Sequence, residues 1–277
     1  MPEGIDVVFG QPAPREAIEH TALRWVHLNS AGYTALDRDD VREAMRNRGA
    51  ILTTSSSVYA EPVAQHILAM MLSLSRQLPK AIESQLSTPT WNFHELRRAS
   101  RLLNGQRVLI LGFGAIARRL IELLRPFDMD IAAIRRNPSS EDPVRTYKDD
   151  DAKHLMNWAD HVVNILPATP ETAKFLNGEF LGKMRPEAIL YNVGRGTTVD
   201  QAALINALEA GRIAAAYLDV TDPEPLPPDH PLWTTRNCYI TPHSAGGHDL
   251  EAQRLANHFL SNFERFRTGA EVLNRVI

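Results

Sequence analysis

The sequence predicts a doubly wound α/β fold, in which helices cover both faces of a parallel sheet. Short apolar runs alternate regularly with helical stretches from Gly105 onward, and a glycine-containing turn follows the first run. The first sixty residues repeat this alternation on a smaller scale. We therefore expect two domains: a smaller, discontinuous one from residues 1–60 plus 247–277, and a larger one from residues 61–246 that includes a helix and arm at 61–104.

In the smaller domain, apolar runs predict strands, and Asp37–Arg48 is typical of a helix because its acidic residues come early and its basic residues late. A long helix is predicted from Pro62 to about Lys80, with proline in its first turn. Its apolar residues occupy more than one face, so we expect it to be buried between domains or subunits. The polar segment Ser84–Asn104, which contains Trp91, is predicted to be a linker or arm. The remaining elements of this part are strands Ile5–Phe9, Arg24–Leu28 and Ala50–Thr54, and helix Ala17–Leu23.

The larger domain is predicted to contain six strands with helices between most of them, and Glu251–Arg267 is predicted to form a last, amphipathic helix. The six strands are Arg107–Leu111, Asp130–Ile134, His161–Leu166, Ala188–Val193, Ala214–Val220 and Cys238–Thr241.

Composition excludes several functional classes. The chain of 277 residues has 44% hydrophobic and 23% charged residues, as expected of a globular protein rather than a disordered one. Its net charge of −3 is too weak to suggest a nucleic-acid partner or a charged membrane surface. The single cysteine, Cys238, forms no internal disulfide and no metal cluster. With no signal-peptide pattern at Met1–Asp6, we expect a cytoplasmic protein without a metal.

The glycine turn predicts a dinucleotide site. Gly112-Phe113-Gly114-Ala115-Ile116-Ala117 lies between a predicted strand and a predicted helix. The first glycine permits a tight turn, the second lets a pyrophosphate approach the backbone, and the small Ala117 allows close helix packing. The N–H groups at the start of the helix would face the phosphates. The alternative interpretation is a purely structural turn.

The next strand ends in Arg135 and Arg136, where an acid that binds the ribose 2′-hydroxyl is usual. Guanidinium groups match a 2′-phosphate in charge and geometry, so NADP(H) is favoured over NAD(H). The alternative is a pair of solvated surface arginines.

Three polar side chains and one loop carboxylate suggest catalysis. Arg195 and His243 follow predicted strands and Asp219 lies at the end of another, so we expect all three at the carboxyl edge of the sheet, where ligands bind. Arginine can hold a substrate carboxylate, and histidine can deliver a proton. Glu224, 19 positions before His243, can orient that imidazole. Taken singly, His243 could be a surface or packing residue and Glu224 a solvated loop acid.

These motifs, from about Leu28 to the C-terminus, resemble the D-isomer-specific 2-hydroxyacid dehydrogenases. The resemblance rests on the glycine turn and on Leu166-Pro-Ala-Thr-Pro-Glu-Thr172, Asn192-Val-Gly-Arg-Gly196, Leu218-Asp-Val220 with Glu224-Pro-Leu-Pro227, and Thr241-Pro-His243. It implies a catalytic trio of Arg195, Glu224 and His243, with Arg195 and His243 also contacting substrate. It further implies that Asp219 contacts the nicotinamide carboxamide and that the amides of Ala31 and Gly32 hold the substrate carboxylate. The other cofactor-binding residues implied are Leu166, Pro167, Thr172, Val193, Gly194, His243 and Ala245, with Thr169 as a weaker match.

The resemblance also implies the architecture and the reaction. The larger domain would be a Rossmann domain, and the smaller a flavodoxin-like substrate domain, shortened at its N-terminus relative to the family. The expected reaction is hydride transfer between NADP(H), or less favourably NAD(H), and a small 2-keto acid such as glyoxylate or hydroxypyruvate. The expected assembly is a homodimer through the Pro62 helix and the Trp91 arm. The alternative function is a dinucleotide-sensing, corepressor-like binding protein with vestigial activity.

Overall fold

A computed structural model describes residues 4–87 and 89–277. The first three residues of the expected smaller domain and Thr88 of the expected arm lie outside these ranges. The strands are β1 (Val7–Phe9), β2 (Trp25–His27), β3 (Ile51–Thr53), β4 (Arg107–Leu111), β5 (Asp130–Ile134), β6 (Arg145–Tyr147), β7 (His161–Asn164), β8 (Ile189–Asn192), β9 (Ala215–Leu218) and β10 (Cys238–Ile240). The α-helices are α1 (Pro14–Glu19), α2 (Asp39–Asn47), α3 (Ser56–Ser75), α4 (Leu78–Leu86), α5 (Phe93–Ala99), α6 (Ala115–Leu124), α7 (Ala152–Met156), α8 (Gly178–Leu181), α9 (Gln201–Glu209) and α10 (Glu251–Thr268).

The chain divides into two compact units, Met1–Glu61 with Gly247–Ile277, and Pro62–Gly246. The second unit contains a seven-stranded sheet in the order β10-β9-β8-β7-β4-β5-β6, and every neighbouring pair is parallel. The strand order reverses between β4 and β7, which is the position where doubly wound folds bind ligands. The predicted α/β Rossmann fold is therefore confirmed.

The central strands are buried on both faces, which is why their sequences are continuous apolar runs. Val108, Leu109, Ile110 and Leu111 of β4 are all fully buried. One hydrophobic core joins Leu109 and Leu111 to the helices α8 and α9, and on α6 Leu120 and Leu124 are also fully buried. The rigid sheet fixes the positions of the loops at its carboxyl edge.

The first unit has a smaller parallel sheet in the order β1-β2-β3. The C-terminal residues extend it, because Thr53 pairs with Arg275 in antiparallel fashion and Val276 N–H donates to the Leu52 carbonyl at 2.8 Å. Trp25 is fully buried and its ring stacks on Phe259 and Phe266 of α10. The last helix is thus held to the sheet of this unit by aromatic packing.

The prediction that the long helix begins at Pro62 is wrong. Helix α3 begins six residues earlier, at Ser56, and ends at Ser75, so Pro62 lies inside it. Proline inside a helix removes one backbone hydrogen bond and destabilises the helix by about 3 kcal/mol, which is why the sequence favours a helix start at Pro62. Burial of Ala64, Ile67 and Met71, all fully buried, offsets that cost.

The segment Ser84–Asn104, predicted to be a linker or arm, contains helical structure. Helix α4 extends into it as far as Leu86, and helix α5 occupies Phe93–Ala99 within it. The short edge strand β6 was also absent from the sequence prediction, since only three residues form it and Arg145 is exposed. Among the helices of the described residues, none has the length and apolar character needed to cross a lipid bilayer.

Candidate active site

Three neighbouring strands supply the residues of the predicted catalytic trio. Arg195 follows β8, Glu224 follows β9 and His243 follows β10, and these strands lie side by side in the sheet. The carboxyl ends of parallel strands share one edge, so all three loops leave the same edge.

Glu224 and His243 are in direct contact. Glu224 Oε2 lies 2.8 Å from His243 Nδ1, while the other oxygen, Oε1, accepts the Thr221 N–H at 3.0 Å. Both side chains remain partly open to solvent, at 53% exposure for His243 and 37% for Glu224. The backbone amide of Thr221 therefore fixes the carboxylate that orients the imidazole.

His243 has the left-handed backbone conformation, with φ of 51°, which is uncommon for a residue with a side chain. Its N–H donates to the carbonyl oxygens of Asp219, at 2.8 Å, and Thr241, at 3.0 Å. Residues held in sparsely populated conformations by surrounding hydrogen bonds cluster at functional sites.

The Arg195 segment packs tightly against the loop that carries Glu224. A Cβ atom at Gly196 would lie 1.9 Å from the Thr221 carbonyl oxygen, so only glycine fits here. The Arg195 guanidinium donates from Nη1 to the Gly194 carbonyl at 2.6 Å. In the described part of the chain Arg195 forms no ion pair, and its side chain makes no hydrogen bond to Glu224 or His243.

Sequence reasoning missed the buried residues that shape this segment. Asn164 Nδ2 donates to Asn192 Oδ1 at 2.9 Å and to Thr198 Oγ1 at 2.7 Å, and Thr198 Oγ1 donates to the Arg195 carbonyl at 2.6 Å. Asn164 and Asn192 end the neighbouring strands β7 and β8 in register. Polar residues at the ends of apolar strands were the available signal.

Asp219, just past β9, is only 3% exposed and is strongly hydrogen-bonded. Its Oδ1 accepts the N–H groups of Ser244 at 2.9 Å and Ala245 at 3.1 Å, and Ala245 N–H also reaches Oδ2 at 3.1 Å. A cavity of about 400 Å³ is lined by Asp219, Thr221, Glu224, Pro225, Leu226, Trp233, Ile240, Thr241, Pro242 and His243. The carboxylate, the Glu224–His243 pair and apolar walls thus surround one space.

The glycine turn has the geometry that a pyrophosphate requires. Gly112 has φ of 100°, and a Cβ there would lie 3.2 Å from the Ile165 carbonyl oxygen. Gly114 is exposed and is the N-cap residue of α6, whose first amides, those of Ala115 and Ile116, have no carbonyl partner within the helix. Ala117 is fully buried, as expected where the helix packs on the sheet. These residues fit a dinucleotide phosphate group.

The end of β5 differs from the prediction. Arg135 has an acidic neighbour, because the loop after β5 folds back and brings Asp142 Oδ1 to 2.6 Å from Arg135 Nη1. Burial raises the pKa of this carboxyl, but hydrogen bonds from Thr146, Arg135 and the Ser139 amide outweigh it and bring that pKa below its ordinary value. The residues that directly follow β5 are arginines, as the sequence shows, and the loop brings the Asp142 carboxylate beside them. Periodicity does not reveal this contact because it depends on how the loop closes.

The arginines nevertheless outnumber that carboxylate. Arg118 lies 3.7 Å from Asp142, and the guanidinium groups of Arg118 and Arg135 stand 4.5 and 5.1 Å from the centre of the Phe113 ring. Arg136 is exposed. A hydrogen bond from Thr169 and the charge of Arg136 lower the pKa of Glu171, which is a second carboxylate here, so three cations and two anions give 3 − 2 = +1 at this end of the sheet.

The remaining residues implied by the resemblance lie on loops of both units. Thr172 Oγ1 donates to the Pro167 carbonyl at 2.6 Å and closes the loop after β7, where Leu166 is buried and Thr169 N–H donates to Thr172. Val193 and Gly194 are buried just past β8. Ala31 and Gly32 belong to the first unit, past β2, and their amides donate no hydrogen bond within residues 4–87 and 89–277. In those same ranges, no three His, Cys, Asp or Glu side chains lie close enough together to hold a metal ion.

The chain is similar in sequence and in fold to known proteins. Residues 68–245 match the family model described as D-isomer specific 2-hydroxyacid dehydrogenase, NAD binding domain. The glyoxylate reductase/hydroxypyruvate reductase of Homo sapiens is 32% identical over 223 residues, covering 80% of this chain and 67% of that protein. A D-isomer specific 2-hydroxyacid dehydrogenase from Xanthobacter autotrophicus Py2, solved in complex with NADPH and MES, is 29% identical with a TM-score of 0.84, covering 100% of this chain and 85% of that one.

An NADPH-dependent glyoxylate/hydroxypyruvate reductase from Sinorhizobium meliloti, solved with NADP and malonate, is 28% identical with a TM-score of 0.76, covering 98% of this chain and 82% of that one. The family model alone spans well over half of the chain. The protein therefore belongs to the D-isomer specific 2-hydroxyacid dehydrogenase family, whose members are NAD(P)-dependent oxidoreductases.

Proposed function

We propose that this protein reduces a small 2-keto acid, such as glyoxylate or hydroxypyruvate, to the D-2-hydroxy acid with NADPH as its preferred cofactor. The observation that carries the proposal is the 2.8 Å contact between Glu224 and His243 on a cavity that also contains Asp219. A general acid oriented by a carboxylate, beside a nicotinamide pocket, is what reduction of a ketone requires.

The chain's own residues supply the proton and the orientation. When bound, the nicotinamide supplies the hydride that adds to the carbonyl carbon. His243 Nε2–H gives its proton to the carbonyl oxygen as the C=O π bond breaks, which leaves a hydroxyl group and a neutral imidazole. Glu224 stabilises the imidazolium before transfer. Arg195 holds the substrate carboxylate, to which a guanidinium can donate two parallel hydrogen bonds.

The cofactor preference rests on the charge at the end of β5. The net charge of +1 from Arg118, Arg135, Arg136, Asp142 and Glu171 favours a 2′-phosphate, which brings about two negative charges, over a ribose hydroxyl. Asp142 uses only one nitrogen of Arg135, so the other guanidinium donors remain for a phosphate. The complexes of the two solved relatives with NADPH or NADP support the same choice.

The first unit is proposed to be the substrate domain, in which the free amides of Ala31 and Gly32 bind the carboxylate of the keto acid. A homodimer is proposed through α3, α4 and α5, because Trp91 is 92% exposed and Leu86 is 79% exposed. Sedimentation should show a dimer at micromolar protein concentration. A stable monomer there would contradict this assembly.

The reaction is tested by NADPH absorbance at 340 nm with a panel of 2-keto acids and the His243→Asn variant. Asparagine tolerates the left-handed backbone of residue 243 but cannot act as an acid, so we expect kcat/KM to fall at least about 100-fold. His230→Asn is the matched control, since its amide oxygen can still accept the Leu232 N–H and activity should persist. Tight NADPH binding without turnover of any keto acid would instead favour the dinucleotide-sensing alternative.

A further inference from the structure

A buried chain of hydrogen bonds leads from helix α3 to Asp219, and the proposed reaction does not use it. His66 Nε2 contacts the Tyr217 hydroxyl, and that hydroxyl contacts Thr241 Oγ1. Thr241 Oγ1 is 2.5 Å from Asp219 Oδ1. All four residues belong to the second unit, and Tyr217 and Asp219 are almost fully buried.

The direction of this chain follows from counting hydrogens. Asp219 Oδ1 accepts the N–H groups of Ser244 and Ala245, and Thr241 Oγ1 donates its hydroxyl hydrogen to the same oxygen. Thr241 has one hydroxyl hydrogen, so Tyr217 must donate to Thr241.

Tyr217 then has only an acceptor left, which makes His66 Nε2 the donor. His66 Nε2 is also 3.5 Å from Thr241 Oγ1, and donation along that contact has the same sense. Burial raises the pKa of Tyr217, so its hydroxyl keeps its proton, and burial lowers the pKa of His66 although the Asp219 charge opposes this. Either protonation state of His66 can carry a hydrogen on Nε2, so the chain always ends on the carboxylate.

The consequence is an asymmetry between the two carboxylate oxygens. Oδ1 accepts from Thr241, from Ser244 and from one arm of the Ala245 N–H, whereas Oδ2 accepts only the other arm of that same N–H, and both arms are 3.1 Å long. A carboxylate offers about four lone-pair sites, and the one donor on Oδ2 is shared with Oδ1, so Oδ2 retains accepting capacity in a residue that lines the 400 Å³ cavity.

We propose that Thr241 and Tyr217 are positioning residues that hold Asp219 through Oδ1, leaving Oδ2 to accept the carboxamide N–H of a bound nicotinamide. This assignment rests on the proposed function insofar as it assumes a nicotinamide cofactor. Thr241 acts through Asp219 and does not itself contact the cofactor. Its effect should therefore appear as discrimination between cofactors that have and lack the amide N–H₂.

The test compares Thr241→Val with Thr241→Ser by measuring the Kd of NADP⁺ and of its 3-acetylpyridine analogue, which keeps the carbonyl but has no N–H₂. Valine keeps the volume and removes the hydroxyl, so NADP⁺ should bind about tenfold more weakly, whereas the analogue should change less than about twofold. Thr241→Ser retains the donor, so it should bind both dinucleotides as the unmodified protein does.

Tyr217→Phe provides a second variant in case Thr241→Val does not fold. It removes the donor to Thr241, so the preference for NADP⁺ over the analogue should fall by about threefold. An unchanged preference in the variants that fold would overturn the assignment, as would an equal loss in Thr241→Ser. If the predicted shift in preference occurs but no 2-keto acid is turned over, the proposed reaction fails and the positioning role stands.

Discussion

Replacement of Glu224 by glutamine removes the charge beside His243 and nearly preserves the shape of the side chain. At 2.8 Å the Coulomb interaction between the carboxylate and an imidazolium is about 1.5 kcal/mol in a water-like dielectric. Both side chains are more than one-third exposed, so we discount it for solvent screening to about 1 kcal/mol. Glutamine has one amide oxygen, which can satisfy either His243 Nδ1 or the Thr221 N–H but not both, and this costs about 1 kcal/mol more.

A total of about 2 kcal/mol predicts a loss of about 30-fold in kcat/KM near neutral pH. The assay is NADPH-dependent reduction of glyoxylate near neutral pH. Asp229→Asn removes one charge from the same loop without touching the pair and should match the unmodified enzyme. A loss in Glu224→Gln no larger than that in Asp229→Asn would refute a role for the Glu224 charge.

Two further perturbations test other parts of the structure. Arg135→Asp should weaken NADPH binding by about 30-fold or more, whereas NADH binding, measured by the same fluorescence titration, should change little. Equal losses of affinity for the two cofactors would contradict a role of Arg135 in binding the 2′-phosphate. Burial lowers the pKa of His161 from 6.5 to about 4, so between these values the unfolded chain binds a proton that the folded chain does not. The free energy of unfolding is therefore unaffected by His161 above pH 6.5, and it falls by about 3 kcal/mol as the pH falls to 4. Urea unfolding of His161→Gln should show a smaller decrease in that free energy over the same pH range. Parallel curves for the variant and the unmodified protein would show that His161 does not titrate this way.

The sequence predicted best those elements whose burial is complete. Strands β4 and β5 have the bounds expected, Arg107–Leu111 and Asp130–Ile134, because a strand covered on both faces is an unbroken apolar run. The start of the long helix was predicted wrongly at Pro62, because proline is usually found in the first turn of a helix. In the structure, packing of this helix in the core outweighs that preference, and Pro62 lies inside the helix. Local patterns carry no information about which core a residue will meet.

The site was predictable in part for a similar reason. Glu224 and His243 follow neighbouring strands of the sheet, so topology alone brings them near each other. Asp142 and His66 could not be found this way, because one arrives by closure of an irregular loop and the other lies 151 residues from its partner Tyr217. Contacts of that kind depend on tertiary packing that periodicity does not encode.

The contact between Gly196 and the Thr221 carbonyl limits how this enzyme can be re-engineered. The loop after β8 and the loop after β9 are packed so closely that neither can change its backbone path unless the other also changes. A designer who imports a specificity loop from a relative in place of residues 219–228 must bring in the donor's counterpart of residues 193–198 as well. Chimeras that exchange only one of the two should lose the alignment of acid and carboxylate before they gain a new substrate.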